Sequence, residues 1–187
     1  MRPNQPMNLL FRTLVLGAGV LAAGMTQAQQ WFFRIGPSFG QPVLGSEDTR
    51  RGTYYGVGFA KPEGRLKYRG STPNLLVETY YLFTKGGGFE DIPVNDMRSY
   101  GLSVTARYRI GRLGKGDIGL DLGWGAVYNS IRTRDLDSNL NSTPMIGVSF
   151  EFQKYDMSVR WYHASNGGSS GNNQGTNQIQ YLVGFKF

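Results

Sequence analysis

Residues 118–128 run Ile118-Gly119-Leu120-Asp121-Leu122-Gly123-Trp124-Gly125-Ala126-Val127-Tyr128. The even positions hold Ile, Leu, Leu, Trp, Ala and Tyr, while Gly119, Asp121, Gly123 and Gly125 stand between them. An extended chain sends successive side chains to opposite faces, so this segment is a strand with one apolar, aromatic face and one small or acidic face. The fold depends on whether that pattern recurs.

It recurs along the chain. Tyr100, Leu102, Val104, Ala106, Tyr108 and Ile110 alternate with Gly101, Ser103, Thr105, Arg107 and Arg109. Ile146, Val148, Phe150 and Phe152 alternate with Gly147, Ser149 and Glu151. The last segment sets Ile179, Tyr181, Val183, Phe185 and Phe187 against Gln178, Gln180, Gly184 and Lys186, with Leu182 as the exception. Less regular segments at 30–40, 52–61, 74–84 and 156–165 bring the number to eight. Short polar turns are expected at 111–117 and 153–156, and longer polar stretches at 42–50, 62–73, 85–97 and 129–143.

Ten-residue alternating segments in even number are the signature of a transmembrane β-barrel, in which antiparallel closure leaves no backbone edge in lipid. A soluble sandwich or lipocalin-like barrel also alternates, but turns its apolar face inward. Here Arg34, Glu78, Arg107, Arg109, Asp121, Glu151, Arg160 and Lys186 all fall on the polar face. Eight strands enclose a narrow, side-chain-filled lumen, where such charges have to pair. The aromatic Phe187 closing the last amphipathic segment is a further pointer to an outer-membrane protein. The expected fold is therefore all-β, an eight-stranded antiparallel transmembrane β-barrel.

Composition agrees. The chain has 27 glycines, 11 tyrosines and 11 phenylalanines, yet its mean hydropathy is negative. Inward and outward residues average out in a barrel of this kind. At the N-terminus, Arg2 and Arg12 precede an apolar, uncharged run from Thr13 to Met25, followed by Thr26-Gln27-Ala28. A basic start, a short apolar stretch and small residues at −3 and −1 describe a secretory signal peptide over 1–28, cleaved after Ala28. The run is too short to cross about 30 Å of hydrocarbon comfortably. The barrel then occupies 29–187, and an exported, basic chain suits an anionic membrane surface better than nucleic acid. With no cysteine and a single histidine, thiol nucleophiles, disulfide frameworks and clustered metal ligands drop out.

One segment carries chemistry. In Met157-Ser158-Val159-Arg160-Trp161-Tyr162-His163-Ala164-Ser165-Asn166, parity puts His163 and Ser165 on the apolar, outward face with Trp161. A general base beside a hydroxyl is the minimal machinery of nucleophilic acyl transfer. Asn166, Gly167 and Gly168 follow with an amide and unhindered backbone N–H groups suited to an oxyanion. The same residues also fit a strand reaching the headgroup zone and ending in an ordinary Asn-Gly loop.

His163-Ala164-Ser165-Asn166-Gly167-Gly168, with Asn173-Gln174-Gly175-Thr176-Asn177 and a final amphipathic strand behind it, resembles the lipid A 3-O-deacylase (PagL-type) family. The resemblance implies an eight-stranded outer-membrane barrel that hydrolyses the ester-linked acyl chain at position 3 of lipid A. It makes Ser165 the nucleophile, His163 the general base, and Asn166, Gly167 and Gly168 the oxyanion stabilisers. The family's triad glutamate falls at Asn177 here. An amide can orient an imidazole but cannot offset imidazolium charge. No acidic residue follows Asp156, so a substitute acid would have to come from another loop, with Asp135 and Asp137 as unranked candidates.

No cofactor or metal is implied. The expected partners are lipid A or lipopolysaccharide as substrate and the surrounding outer-membrane lipid, with no nucleic acid; the oligomeric state is open, a homodimer included. Two other functions fit the same residues, a non-catalytic structural barrel and a hydrolase or acyltransferase of another membrane lipid. The loop at 129–143 is either a headgroup pocket or a solvated connection.

Overall fold

The computed structural model describes residues 30–187 apart from 69, 87–94, 170 and 172; the expected signal peptide at 1–28 lies outside the described residues. The strands are β1 (Gln30–Gly40), β2 (Arg51–Pro62), β3 (Asn74–Lys85), β4 (Met97–Leu113), β5 (Gly116–Asn129), β6 (Leu140–Ser142), β7 (Met145–Phe152), β8 (Tyr155–Ala164) and β9 (Thr176–Lys186). Each pairs antiparallel with its neighbours, and β1 pairs with both β2 and β9, which closes the sheet into a barrel.

The fold has eight staves although nine strands are named. β6 and β7 lie on β5 in one continuous register, Ser142 opposite Ala126 and Met145 opposite Gly123. Pro144 interrupts them, because a proline has no N–H to give to a ladder. The hydrogen bonds on either side continue the stave, Thr143 N–H to Gly125 O at 2.9 Å and His163 N–H to Pro144 O at 3.1 Å.

Parity sorts the side chains as alternation requires. Trp124 is 67% exposed on the outer wall, in company with Trp31, Phe33, Val57, Leu122, Ile146, Val148, Val159 and Val183. Arg34, Glu78, Arg107, Asp121, Asp156 and Arg160 are buried inside. They pair as buried charges must. Arg34 meets Asp156 at 2.9 Å and Glu78 at 3.6 Å, and Arg160 meets Glu78 at 3.3 Å. Arg107 binds Asp121 at 2.6 Å and Glu151 at 2.7 Å, and also Asp156. Lys186 reaches Glu151 at 3.1 Å. Arg109 keeps the inward parity, opposite Gly119, and lines the same turn-end cavity as Arg107 and Glu151; it is exposed at that mouth, 3.8 Å from Asp117.

Above this ionic layer the lumen is filled by Tyr54, Tyr80, Leu82, Val127, Leu136, Met145, Tyr162, Ala164 and Leu182. Leu182, the exception to its strand's alternation, therefore points inward because this layer is apolar. The connection at 63–73 lies at the same barrel end as the tight turns 114–115 and 153–154. The strand ends that flank 41–50, 86–96, 130–139 and 165–175 lie at the opposite, loop end.

Candidate active site

The candidate residues lie at the loop end of β8 and β9. Along β8, Ser158, Arg160, Tyr162 and Ala164 are buried inward, while Met157 and Val159 are exposed and Trp161, His163 and Ser165 half-buried on the outer side. The ladder between β8 and β9 puts His163 directly opposite Asn177. The two side chains meet, with His163 Nδ1 at 2.8 Å from Asn177 Oδ1.

The rest of the geometry decides which way the proton points. The Asn177 amide donates through Nδ2 to the Val43 carbonyl at 2.7 Å. A carbonyl can only accept, so the NH2 side of Asn177 must face Val43 and its oxygen must face the imidazole. The amide oxygen also only accepts, which places a hydrogen on His163 Nδ1, so that in the neutral ring the lone pair is on Nε2. That is the tautomer of a general base. Asn177 is on the outward parity of β9 yet 0% exposed, because the loop carrying Val43 folds down over it.

Two further contacts hold the ring. Trp161 stacks on His163 with ring centroids 5.7 Å apart and planes 23° off parallel. Gly175 has φ +77°, and a Cβ there would come within 2.5 Å of His163 Cε1 and 3.0 Å of Nε2. Only glycine combines that backbone with that closeness.

Ser165 continues β8 by a bridge to Ser142, its N–H donating to Ser142 O at 3.0 Å and its carbonyl accepting from Ser142 N–H at 2.7 Å. Its neighbour two residues back on the same face is His163, but among the described residues no hydrogen bond joins its hydroxyl to the ring. Of the expected oxyanion donors, the Asn166 N–H donates to Asn173 Oδ1 at 2.8 Å and the Gly168 N–H to Asn166 Oδ1 at 2.8 Å. The exposed Gly167, at φ +65°, keeps an N–H with no acceptor among the described residues.

The two candidate substitute acids go elsewhere. Asp135 is buried and accepts from Ser46 Oγ at 3.0 Å and from Glu47 N–H at 2.8 Å. Asp137 is 3.7 Å from Arg132. Neither bonds to His163. Asp135 instead ties the site's loops together, since its carbonyl accepts the Gly175 N–H at 3.0 Å. Together with the 2.5 Å pair between Arg134 and Glu47, this fixes the 41–50 loop that supplies Val43. Sequence reasoning missed Val43, whose contribution is a backbone carbonyl with no side-chain signature. It also missed Trp161 as a ring support, although the shared parity with His163 was visible.

The model of the family described as Lipid A 3-O-deacylase (PagL) matches residues 27–186. No curated protein matches the chain in sequence. Among solved structures, the outer membrane enzyme PagL superposes with a TM-score of 0.62 at 17% identity, covering 83% of this chain and 98% of that one. Neisserial surface protein A superposes with a TM-score of 0.51 at 12% identity, covering 86% and 98%. At such identities the structural likeness speaks for the barrel fold.

Proposed function

The chain belongs to the lipid A 3-O-deacylase (PagL) family of the outer membrane, and we propose that it removes the 3-O-linked acyl chain of lipid A by a Ser165/His163 mechanism on the lipid-facing wall of the barrel, after export on the 1–28 signal peptide. The observation that carries this reading is the hydrogen-bond chain Val43 O, Asn177, His163, which orients the imidazole as a base beside Ser165 without any carboxylate.

In this reading the acyl chain stays among the apolar side chains of β8 and β9 while its ester rises to Ser165. Ser165 Oγ attacks the ester carbonyl and His163 Nε2 takes the hydroxyl proton. The carbonyl oxygen becomes an oxyanion, to which the Gly167 N–H donates. Collapse expels the sugar 3-oxygen, which receives the proton back from His163 and leaves as the alcohol. Water, deprotonated by His163, then attacks the acyl-serine; the fatty acid is released as the Ser165 oxygen leaves and takes the proton back from His163. Asn177 keeps the proton on Nδ1 throughout, but as a neutral group it stabilises the imidazolium less than a carboxylate would.

The test is mass spectrometry of lipid A from cells producing wild type, Ser165→Ala and Asn177→Glu. Wild type is expected to remove one 3-hydroxyacyl chain and Ser165→Ala none. Asn177→Glu is expected to trim less than wild type, because a carboxylate cannot donate to Val43 and sets two acceptors against each other. Lipid A left whole by wild type but trimmed by Asn177→Glu would mean that the amide is a crippled triad member. Lipid A left whole by all three inserted proteins would sink the deacylase reading in favour of a structural barrel or a hydrolase of another lipid.

A further inference from the structure

The outer wall is not uniform around the loop end. On β8, β9 and β1 the outward positions there are Trp161, His163, Ile179, Pro37 and Phe39, with no permanent cation. On β2, β3 and β4 they form three cross-strand rows. The lowest joins Tyr55, Tyr81 and Tyr100, whose rings lie 6.3 and 5.2 Å apart in sequence. The next joins Thr53, Phe83 and Arg98, and the topmost sets Arg51 directly opposite Lys85. Aromatic rings in such a row mark the membrane interface, and the cations stand just beyond it.

A shallow groove of about 330 Å³ is lined by Thr53, Tyr55, Tyr81, Phe83 and Arg98. Arg51, Lys85 and Arg98 are all exposed, and among the described residues none has an ion-pair partner. The carboxylate of Asp96 accepts the Gly86 N–H at 2.8 Å instead of pairing with one of them. Like charges facing each other across a strand pair cost stability, so three cations above an aromatic groove match an anionic amphiphile. In the ring of eight staves β3 is four strands from β8 in either direction. The groove is therefore diametrically opposite His163 and Ser165 and cannot be a subsite of that edge.

We propose that this groove is a second, non-catalytic binding site for lipid A. The lipid's phosphates sit on Arg51, Lys85 and Arg98, and one acyl chain lies over Tyr55, Tyr81 and Phe83. Lipid A is the occupant because the loop end faces the outer leaflet, and because its two phosphates match a three-cation cluster better than the single phosphate of a phospholipid. The inference rests on the outer-membrane fold and is independent of the deacylase chemistry.

The experiment uses the Ser165→Ala protein folded in detergent micelles, so that the probe is not consumed. Native mass spectrometry counts bound bis-phosphorylated lipid A, dephosphorylated lipid A and phosphatidylglycerol on this protein. The same counts are made on the added triple variant Arg51→Gln/Lys85→Gln/Arg98→Gln and on the charge-keeping pair Arg51→Lys/Arg98→Lys. The triple variant is expected to hold one fewer bis-phosphorylated lipid A, or to need at least tenfold more of it. The charge-keeping pair should retain the lipid, and it answers the question even if the triple variant does not fold. Equal retention by the parent and a folded triple variant, or loss from the charge-keeping pair, would overturn the proposal. So would equal binding of all three lipids by the parent, which would indicate only a greasy wall, or of both phosphorylated lipids, which would indicate any phosphate. Because the readout is binding to a protein without its nucleophile, lipid A left whole by wild type would fail the deacylase reading and leave this result standing.

Discussion

At its turn end the barrel keeps polar side chains inside, and at its loop end the candidate site stands outside. Strand β8 contributes to both. Its Asp156 and Arg160 face inward into the ion network, and its His163 and Ser165 face outward beside Trp161. The inner cluster pairs full charges, since a lone charge in that lumen would be very costly. The outer one pairs an imidazole with a neutral amide and leaves one ring nitrogen without a partner among the described residues. A single residue of parity thus separates groups that hold the barrel together from groups a substrate can reach.

Substitutions should break the two regions differently. Ser165→Ala should lower deacylation by about 10⁴-fold or more with the fold intact, seen as unchanged heat-modifiable migration beside whole lipid A. Asp156→Ala should do the reverse. It removes the carboxylate that Arg34 and Arg107 share, and should cost about 3 kcal/mol of stability, the low end for a broken buried pair, because Glu78, Asp121 and Glu151 still face the arginines. Urea unfolding in micelles would measure it, with the initial rate of the folded fraction unchanged. Asn177→Ala strips His163 of its acceptor and frees the Val43 carbonyl, and should slow deacylation by about 10²-fold. If turnover survives that change undiminished, the amide does not orient the base.

Much of this contrast was legible in the sequence. Alternation alone gave eight segments, all within a few residues of the observed strands, because inward and outward environments differ so sharply that parity leaves a mark at every second residue. His163 and Ser165 were visible as polar residues out of place on an apolar face. The partnership of Asn177 with Val43 was not, since it depends on a loop backbone 134 residues away. Asp156 escaped the inner network for a related reason. It sits at the end of a strand beside a turn, where an acidic residue also suits solvent, and only closure of the barrel sets it between Arg34 and Arg107. Arg109 shares the parity of Arg107 but stands two residues nearer the turn, where it is exposed and meets Asp117 instead of joining the inner network.

The smallest expected effect falls on a residue with no functional group. Gly175→Ala adds one methyl to the outer cluster, where it would lie 2.5 Å from His163 Cε1 and 2.9 Å from the Ala164 carbonyl. The carbonyl belongs to the β8–β9 ladder and cannot move far, so the imidazole must swing away. The left-handed backbone, at φ +77°, adds about 1–2 kcal/mol of strain for any residue with a Cβ. Together these should lower deacylation about tenfold, a loss near 1.4 kcal/mol, with little change in insertion. Glycine at 114, with φ +59° and nothing within 4 Å of a Cβ, is the matched control. Gly114→Ala carries the same kind of backbone strain at the turn end and should leave the rate untouched. A rate lost equally in both variants would assign the effect to strain in the barrel; a rate lost only at 175 would assign it to the position of the His163 ring.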